Sequence, residues 1–334
     1  MKISASIYSS KDGSIKDVAK NIEKYDIDCL HIDCNDNFSV FTDIEEIKNH
    51  TNLSIDLHLI TSEPEKYYDK IKQLSISQVT FQYENLTDNF IFPADIAPKV
   101  GIAIMNDTPI DVFKQFSENA THILFMTTTP GVSGGAFNKH TFSKIRQFRT
   151  RFPEKEIHVD GGVNDKVSFI LRNMGVHCAV IGSFLFKDHV GYSFLKLQSN
   201  EISSTYTAED FMLEHEEIPI LQENNFTFLE LLQKIDDYGM GLAIISDDNK
   251  KLSGLITNAD IRKALIKNFE NIGHINPNDI INHNPVVVQD INTVQEIIKF
   301  VKKQSFPIQF LPVVDKDRKI KGLLRFNNLI KGEL

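Results

Sequence analysis

Little in this chain marks it as secreted, membrane-bound or nucleic-acid-binding. It has three cysteines, Cys29, Cys34 and Cys178, too few and too scattered for a disulfide framework or a CxxC metal motif. No apolar run approaches the roughly 18–20 residues that a membrane span needs. There is no basic stripe: 36 lysines and arginines and 45 acids are mixed along the length and leave a net charge of −9, which argues against a nucleic-acid reader. The first residues, "MKISASIYSSKDGS", offer no continuous apolar core and no small-residue cleavage site, so they do not read as a signal peptide. These absences point to a reduced, cytoplasmic protein with no membrane or nucleic-acid partner. What the chain does have is apolar material, 41% of its 334 residues, enough for the cores of two domains.

Eight short apolar runs punctuate the first 185 residues: 2–7, 29–33, 54–60, 78–83, 99–104, 122–126, 156–160 and 178–182. Segments of helical periodicity lie between most of them. Ile15, Val18, Ala19 and Ile22 share one face of a helix that Ser14 and Asp17 would open as a capping box. Thr108, Pro109 and Asp111 read as another helix start. Eight buried strands alternating with helices predict an α/β fold, a (β/α)8 or TIM barrel, over residues 1–200; an open doubly wound sheet is the competing arrangement.

Character changes after the polar stretch 197–210, which reads as a linker. Beyond it the chain repeats itself. Pro219 matches Pro285, Thr227 and Glu230 match Thr293 and Glu296, and Gly254 matches Gly322, at offsets of 66 to 68 residues. That spacing suits two copies of a small α+β module in 206–334, about 212–270 and about 277–334.

In a barrel of this kind the chemistry gathers at the C-terminal ends of the strands. Those ends are polar here, in pairs spaced by two and so facing one side: His31 with Asp33, Asp56 with His58, His158 with Asp160. Imidazoles and carboxylates converging at one depth suit a first-row metal such as zinc, iron or manganese. Glycine-rich loops after the sixth, seventh and eighth strands, "TPGVSGGAF", "DGGV" and "GSFLF", suit an anion gripped by backbone N–H groups. A small phosphorylated ligand with its other end at a metal follows.

The motifs "LHIDCNDNF", "DLHLI", "KVGIAI", "MTTTPGVSGGAF", "IHVDGGV" and "IGSFLF" together resemble the ordered motifs of ribulose-phosphate 3-epimerases, over residues 2 to about 187. The resemblance implies an isomerase that moves the C3 proton of a ketose phosphate, D-ribulose 5-phosphate to D-xylulose 5-phosphate or a related sugar, through an enediolate stabilised by one divalent metal. Zinc is the first expectation, with Fe2+, Mn2+ or Co2+ as alternatives. His31, Asp33, His58 and Asp160 would be the ligands, and Asp33 and Asp160 also the acid and base. Ser6, Asn35, Met126, Gly134, Gly161, Gly162, Gly182 and Ser183 would contact the substrate. The chain departs from the family pattern at Asn35, Asn37, Ile60 and Gly135, beside Ser133, which leaves the identity of the sugar phosphate open. Two alternatives stand beside this reading: a non-catalytic sensor of sugar phosphate and nucleotide, and an epimerase of a different phosphorylated sugar in surface-polysaccharide synthesis.

The C-terminal repeat resembles a tandem pair of cystathionine-β-synthase (CBS) domains, on "GLITNAD" and its second copy "GLLRFNN". The resemblance implies an adenine-nucleotide regulator (AMP, ADP or ATP), with Thr257 at the phosphate and Asp260 at the ribose. The second copy has Arg325 and Asn328 at those positions. Thr257 and Asp260 also fit a plain helix cap, with the pair serving assembly alone. A homo-oligomer, dimer or higher, is the accompanying expectation.

Overall fold

The computed structural model describes residues 1–11, 13–131, 134–199, 204–305 and 308–326. Two compact units divide the chain, Met1–Ile202 and Ser203–Leu334. No helix among the described residues is long and apolar enough to cross a membrane.

In the first unit eight parallel strands close into a barrel: β1 (Lys2–Ser6), β2 (Cys29–Cys34), β3 (Ser54–Leu59), β4 (Gln78–Gln82), β5 (Lys99–Ile104), β6 (His122–Met126), β7 (Glu156–Asp160) and β8 (Cys178–Ile181), each paired with the next and β8 with β1. The (β/α)8 expectation holds, and the open sheet is excluded by the β1–β8 pairing. Closure leaves both faces of every strand covered, so apolar residues occupy one alternate set: Leu30 and Ile32, Ile55 and Leu57, Ile157 and Val159 are all at 2% exposure or less. The other set of β2, β3, β4, β6 and β7 is where buried polar side chains collect.

Two helix starts differ from the sequence reading. The helix Ile15–Ile22 begins after Ser14 as expected, but the Ser14 hydroxyl donates to the Asp17 carboxylate at 2.6 Å instead of capping the backbone. The segment Ile110–Phe116 is a 3-10 helix that starts after Pro109, because the Thr108 hydroxyl is taken by Glu84. The supposed linker 197–210 is also partly ordered: one helix, Val190–Gln198, reaches into it, and a short one, Ala208–Phe211, starts within it on a Thr207–Asp210 capping box.

The second unit carries its repeat into two matching sheets: β9 (Ile220–Gln222), β10 (Leu242–Ser246) and β11 (Leu252–Thr257), then β12 (Val288–Gln289), β13 (Phe310–Val314) and β14 (Ile320–Arg325). In each, the antiparallel hairpin pairs with a short parallel strand. The sequence-matched capping boxes open matching helices, Phe228–Tyr238 after Thr227 and Val294–Lys302 after Thr293. A core of Ile218, Leu242, Ile244, Leu252, Val314, Ile320 and Leu323 joins the two copies, so neither closes its apolar face alone.

Candidate active site and metal centre

Parallel register sets the polar residues of β2 and β3 in two rows. Asp33 lies beside His58, and one pleat lower His31 lies beside Asp56. On β7, Asp160 is level with Met126 of β6 and Val180 of β8. One ligand atom from each of His31, Asp33, His58 and Asp160 lies within 4.8 Å of the others, and among the described residues no second group of this kind occurs. His31 Nε2 is 3.3 Å from Asp33 Oδ1 and 3.9 Å from Asp160 Oδ2. His58 Nδ1 is 3.1 Å from the same Asp33 oxygen.

The far nitrogens of both rings are already engaged. His31 Nδ1 is 2.9 Å from Asp56 Oδ2, and His58 Nε2 is 2.9 Å from Gln82 Oε1. Asp56 is itself held by the Ser4 hydroxyl at 2.9 Å and the Gln78 amide at 2.7 Å. A ring whose outer nitrogen is engaged by an acceptor presents its other nitrogen inward, so the two imidazoles and two carboxylates form a nitrogen–oxygen donor set that fits a divalent first-row metal.

Asp56, level with His31, and His158, two residues before Asp160 on β7, therefore stand outside the donor set, not in it as their spacing suggests. His158 contacts Gln78 at 3.5 Å and Glu156 at 3.3 Å, and its ring stacks on that of His122 with centroids 4.4 Å apart. His122 reaches Thr80 at 2.8 Å. These two histidines are satisfied core residues. Gln78, Thr80 and Gln82 went unnoticed in the sequence although they repeat at the same period of two along β4, the pattern that exposed the pairs on the neighbouring strands.

The two site carboxylates sit in opposed environments. Burial pushes the Asp33 carboxyl up, but His31 and His58 outweigh it and hold Asp33 below the usual carboxylate range. Burial also raises Asp160; His31 opposes this, Asp33 reinforces it, and Asp160 comes out at about 6. Burial disfavours the charged form of His31, yet the Asp56 and Asp33 carboxylates on either side raise it well above an ordinary imidazole.

A cavity of about 800 Å³ opens over Asp33 and Asp160. Ser6, Gly134, Gly161, Gly162, Gly182 and Ser183 line it, as do Tyr8, Lys11, Thr128 and Lys187, which the sequence reading did not single out. Gly161 and Gly162 have φ of +110° and +62°, and a Cβ would fall 2.4 Å from the Thr128 hydroxyl in one case and 2.3 Å from Phe137 N in the other. Only glycine lets the loops after β6 and β7 pack this closely. The helix Asp165–Asn173 starts directly after, with Asn164 accepting from Lys166 N at 2.9 Å.

Met126 is buried with Ala103, Leu124 and Val180. Asn35 is exposed, its amide beside Gly131, and is absent from the cavity wall. Asn37 serves the local turn, accepting from Ser39 N at 3.0 Å and from the Ser39 hydroxyl. Ser133 lies outside the described residues.

In the second unit Thr257 and Asp260 meet at the start of the helix Asn258–Lys267. Asp260 Oδ2 accepts from Thr257 N at 3.0 Å and from the Thr257 hydroxyl at 2.6 Å. The two residues thus form a capping box, and any ligand contact would be made by a pair already oriented by each other. Arg325 ends β14; Asn328 lies outside the described residues.

Over 200 residues the chain is 28% identical to the cytoplasmic isoform of ribulose-phosphate 3-epimerase from Oryza sativa subsp. japonica, covering 55% of this chain and 87% of that protein. The ribulose-phosphate 3-epimerase of Bacillus subtilis is 27% identical over 202 residues, 56% of this chain and 92% of the relative. Among solved structures, the CBS-pair protein CBSX2 from Arabidopsis thaliana is 22% identical, covering 38% of this chain and 94% of that one, with a TM-score of 0.33. The CBS-domain family model matches residues 208–267 and 278–333. The model of the ribulose-phosphate 3-epimerase family matches residues 2–186, more than half of the chain, and the protein is a member of that family, an isomerase barrel carrying a CBS pair.

Proposed function

We propose that the barrel interconverts two ketose phosphates epimeric at C3, D-ribulose 5-phosphate and D-xylulose 5-phosphate or a close analogue, at a metal-dependent site. The observation that carries this reading is the pairing of Asp33 and Asp160 against one imidazole, at 3.3 and 3.9 Å from His31 Nε2, with opposed protonation environments. Two carboxyls driven apart in this way suit one base and one acid.

His31, Asp33, His58 and Asp160 would hold a single divalent ion, zinc first, with Fe2+, Mn2+ or Co2+ served by the same donors. When bound, such an ion supplies positive charge against the enediolate that forms as the C3 proton leaves. Asp33, kept ionised, takes the C3 proton from one face. Asp160 is placed to return a proton to the opposite face, and inversion follows because the two carboxyls belong to different strands, β2 and β7. The return reaction uses them in exchanged roles. The N–H groups of the loops bearing Gly134, Gly161, Gly162, Gly182 and Ser183 suit the phosphate, with Lys11 and Lys187 as cations lining the same cavity.

The test is proton exchange at C3 in D2O with a panel of ketose phosphates, with and without Zn2+. Deuterium enters C3 of at least one of them, and Asp33→Asn and Asp160→Asn each slow its entry by about 10²–10⁴-fold. Metal binding without exchange on any ketose phosphate overturns the catalytic reading in favour of a sensor.

For the second unit, the reading is an adenine-nucleotide regulator with Thr257 and Asp260 among its contacts. The match of the CBS family and the "GLITNAD" motif support it. A melting shift with AMP, ADP or ATP is expected, and one that survives Asp260→Ala overturns the assignment of that residue.

A further inference from the structure

Gln82 and Glu84 lie outside the donor set and are bonded in series to the outer nitrogen of His58. Gln82 is 1% exposed, and its two amide ends meet different partners: Oε1 lies 2.9 Å from His58 Nε2, and Nε2 donates to Glu84 Oε2. Glu84, at the solvent rim after β4, also accepts from Met105 N at 2.8 Å and from the Thr108 hydroxyl, which pins its carboxylate to the loop after β5. An amide by itself has no fixed sense, since its oxygen and nitrogen ends are nearly alike in shape. A carboxylate only accepts, so Glu84 requires the NH2 end, and the carbonyl end must face His58. That carbonyl likewise only accepts, so a His58 proton is held on Nε2, and Nδ1 is the nitrogen turned to the centre, 3.1 Å from Asp33, whose place beside it a bound metal would share.

We propose that Glu84 and Gln82 form an orienting relay that locks His58 in the tautomer able to bind a metal through Nδ1, with Glu84 acting through Gln82 as a positioning residue. The inference rests on the reading of His31, Asp33, His58 and Asp160 as a metal centre. It differs from the arrangement at His31, where a carboxylate, Asp56, fixes the ring directly and needs no second residue to orient it.

The relay makes a prediction that simple contact loss does not. Glu84→Gln keeps an acceptor for Met105 N and Thr108 but no longer dictates the sense of Gln82. The amide can then turn its NH2 to His58 Nε2, which moves the ring proton to Nδ1. Affinity of the metal-free protein for Zn2+, measured by chelator competition, is expected to fall about 10–100-fold. The exchange variant Gln82→Glu with Glu84→Gln puts an acceptor beside His58 whichever way it lies, and is expected to restore most of the loss. Nitrogen-15 NMR of the histidine rings in the metal-free protein supplies an independent reading: Nε2 of His58 keeps its proton in the wild type and the exchange variant, and loses it in part in Glu84→Gln. Urea midpoints of all three are expected to agree.

Zn2+ affinity and ring state unchanged in Glu84→Gln would overturn the relay. So would a loss that the exchange variant fails to restore. A wild-type chain that takes up no divalent ion fails the reading of the centre instead, and the ring spectra still decide the relay.

Discussion

His31 Nδ1 and Asp56 Oδ2 lie 2.9 Å apart, with neither residue more than 2% exposed. This contact sets the direction of the ring and leaves Nε2 for Asp33 and Asp160. Replacing Asp56 with Asn keeps the shape but removes the charge, and Zn2+ affinity by chelator competition should fall about 10–100-fold. Asp56→Ala also strands His31, the Ser4 hydroxyl and the Gln78 amide. Breaking a buried charge pair from one side costs about 3–5 kcal/mol, so urea unfolding of the metal-free protein should show a loss of that order.

The same contact makes metal uptake depend on pH. In the metal-free protein burial works against charge on His31, but the two flanking carboxylates keep it protonated well above the usual imidazole range. Loading must expel that proton, and below pH 6 a second one from Asp160, at about 6. Calorimetry in buffers of different ionisation enthalpy should therefore report close to one proton released per Zn2+ at neutral pH, rising as the pH falls, with affinity dropping in step. Stability follows the sign of the shift: the His31 contribution is full below its unfolded value of about 6.5 and is lost as pH rises through the higher folded value. Melting temperatures of the metal-free protein should decline above neutrality for this reason, and the His31→Gln variant should lack that decline.

The fold and the four donor positions could be read from the sequence because both rest on short-range patterns. Eight buried runs with intervening helices have few closed solutions, and residues spaced by two on adjacent parallel strands must share a face. Depth could not be read in this way. His158 has the same spacing from Asp160 as His31 from Asp33, yet it sits below the centre against Glu156 and His122, because stagger between strands is set by the pairing register. The relay from Gln82 to Glu84 was equally hidden, since it depends on the loop after β4 turning back toward Met105 and Thr108. The motif Thr257–Asp260 carried two meanings at once, and the structure realises the capping one without touching the other.

Gly101 on β5 exists for His122. A Cβ there would lie 2.2 Å from the His122 ring, which is fully buried, bonded to Thr80 and stacked on His158, and so has nowhere to move. Gly101→Ala should destabilise the barrel by about 1–3 kcal/mol through overpacking. In a His122→Ala background the same change should cost much less, and urea melts of the four proteins give the coupling directly. Equal costs in both backgrounds would show that the clash is not with the ring.

Gly254 and Gly322, matched in the sequence repeat, answer to the same constraint in each copy. A Cβ on Gly254 would fall 2.6 Å from Asn282 O, where Leu255 and Asn282 exchange backbone hydrogen bonds at 3.0 and 2.8 Å. A Cβ on Gly322 would fall 2.2 Å from Leu213 O, where Leu213 and Leu323 exchange theirs at 2.8 and 3.1 Å. In both cases a neighbouring strand segment crosses directly over the hairpin, and a side chain would separate the two backbones. Gly322→Ala should break the Leu213–Leu323 bridge and expose these amides to hydrogen exchange, while the barrel amides keep their protection. Gly254→Ala should do the same at Leu255 and Asn282. Protection lost along β11 or β14 with the paired bridge still intact would mean that the glycines serve strand geometry alone, and not the crossing segment.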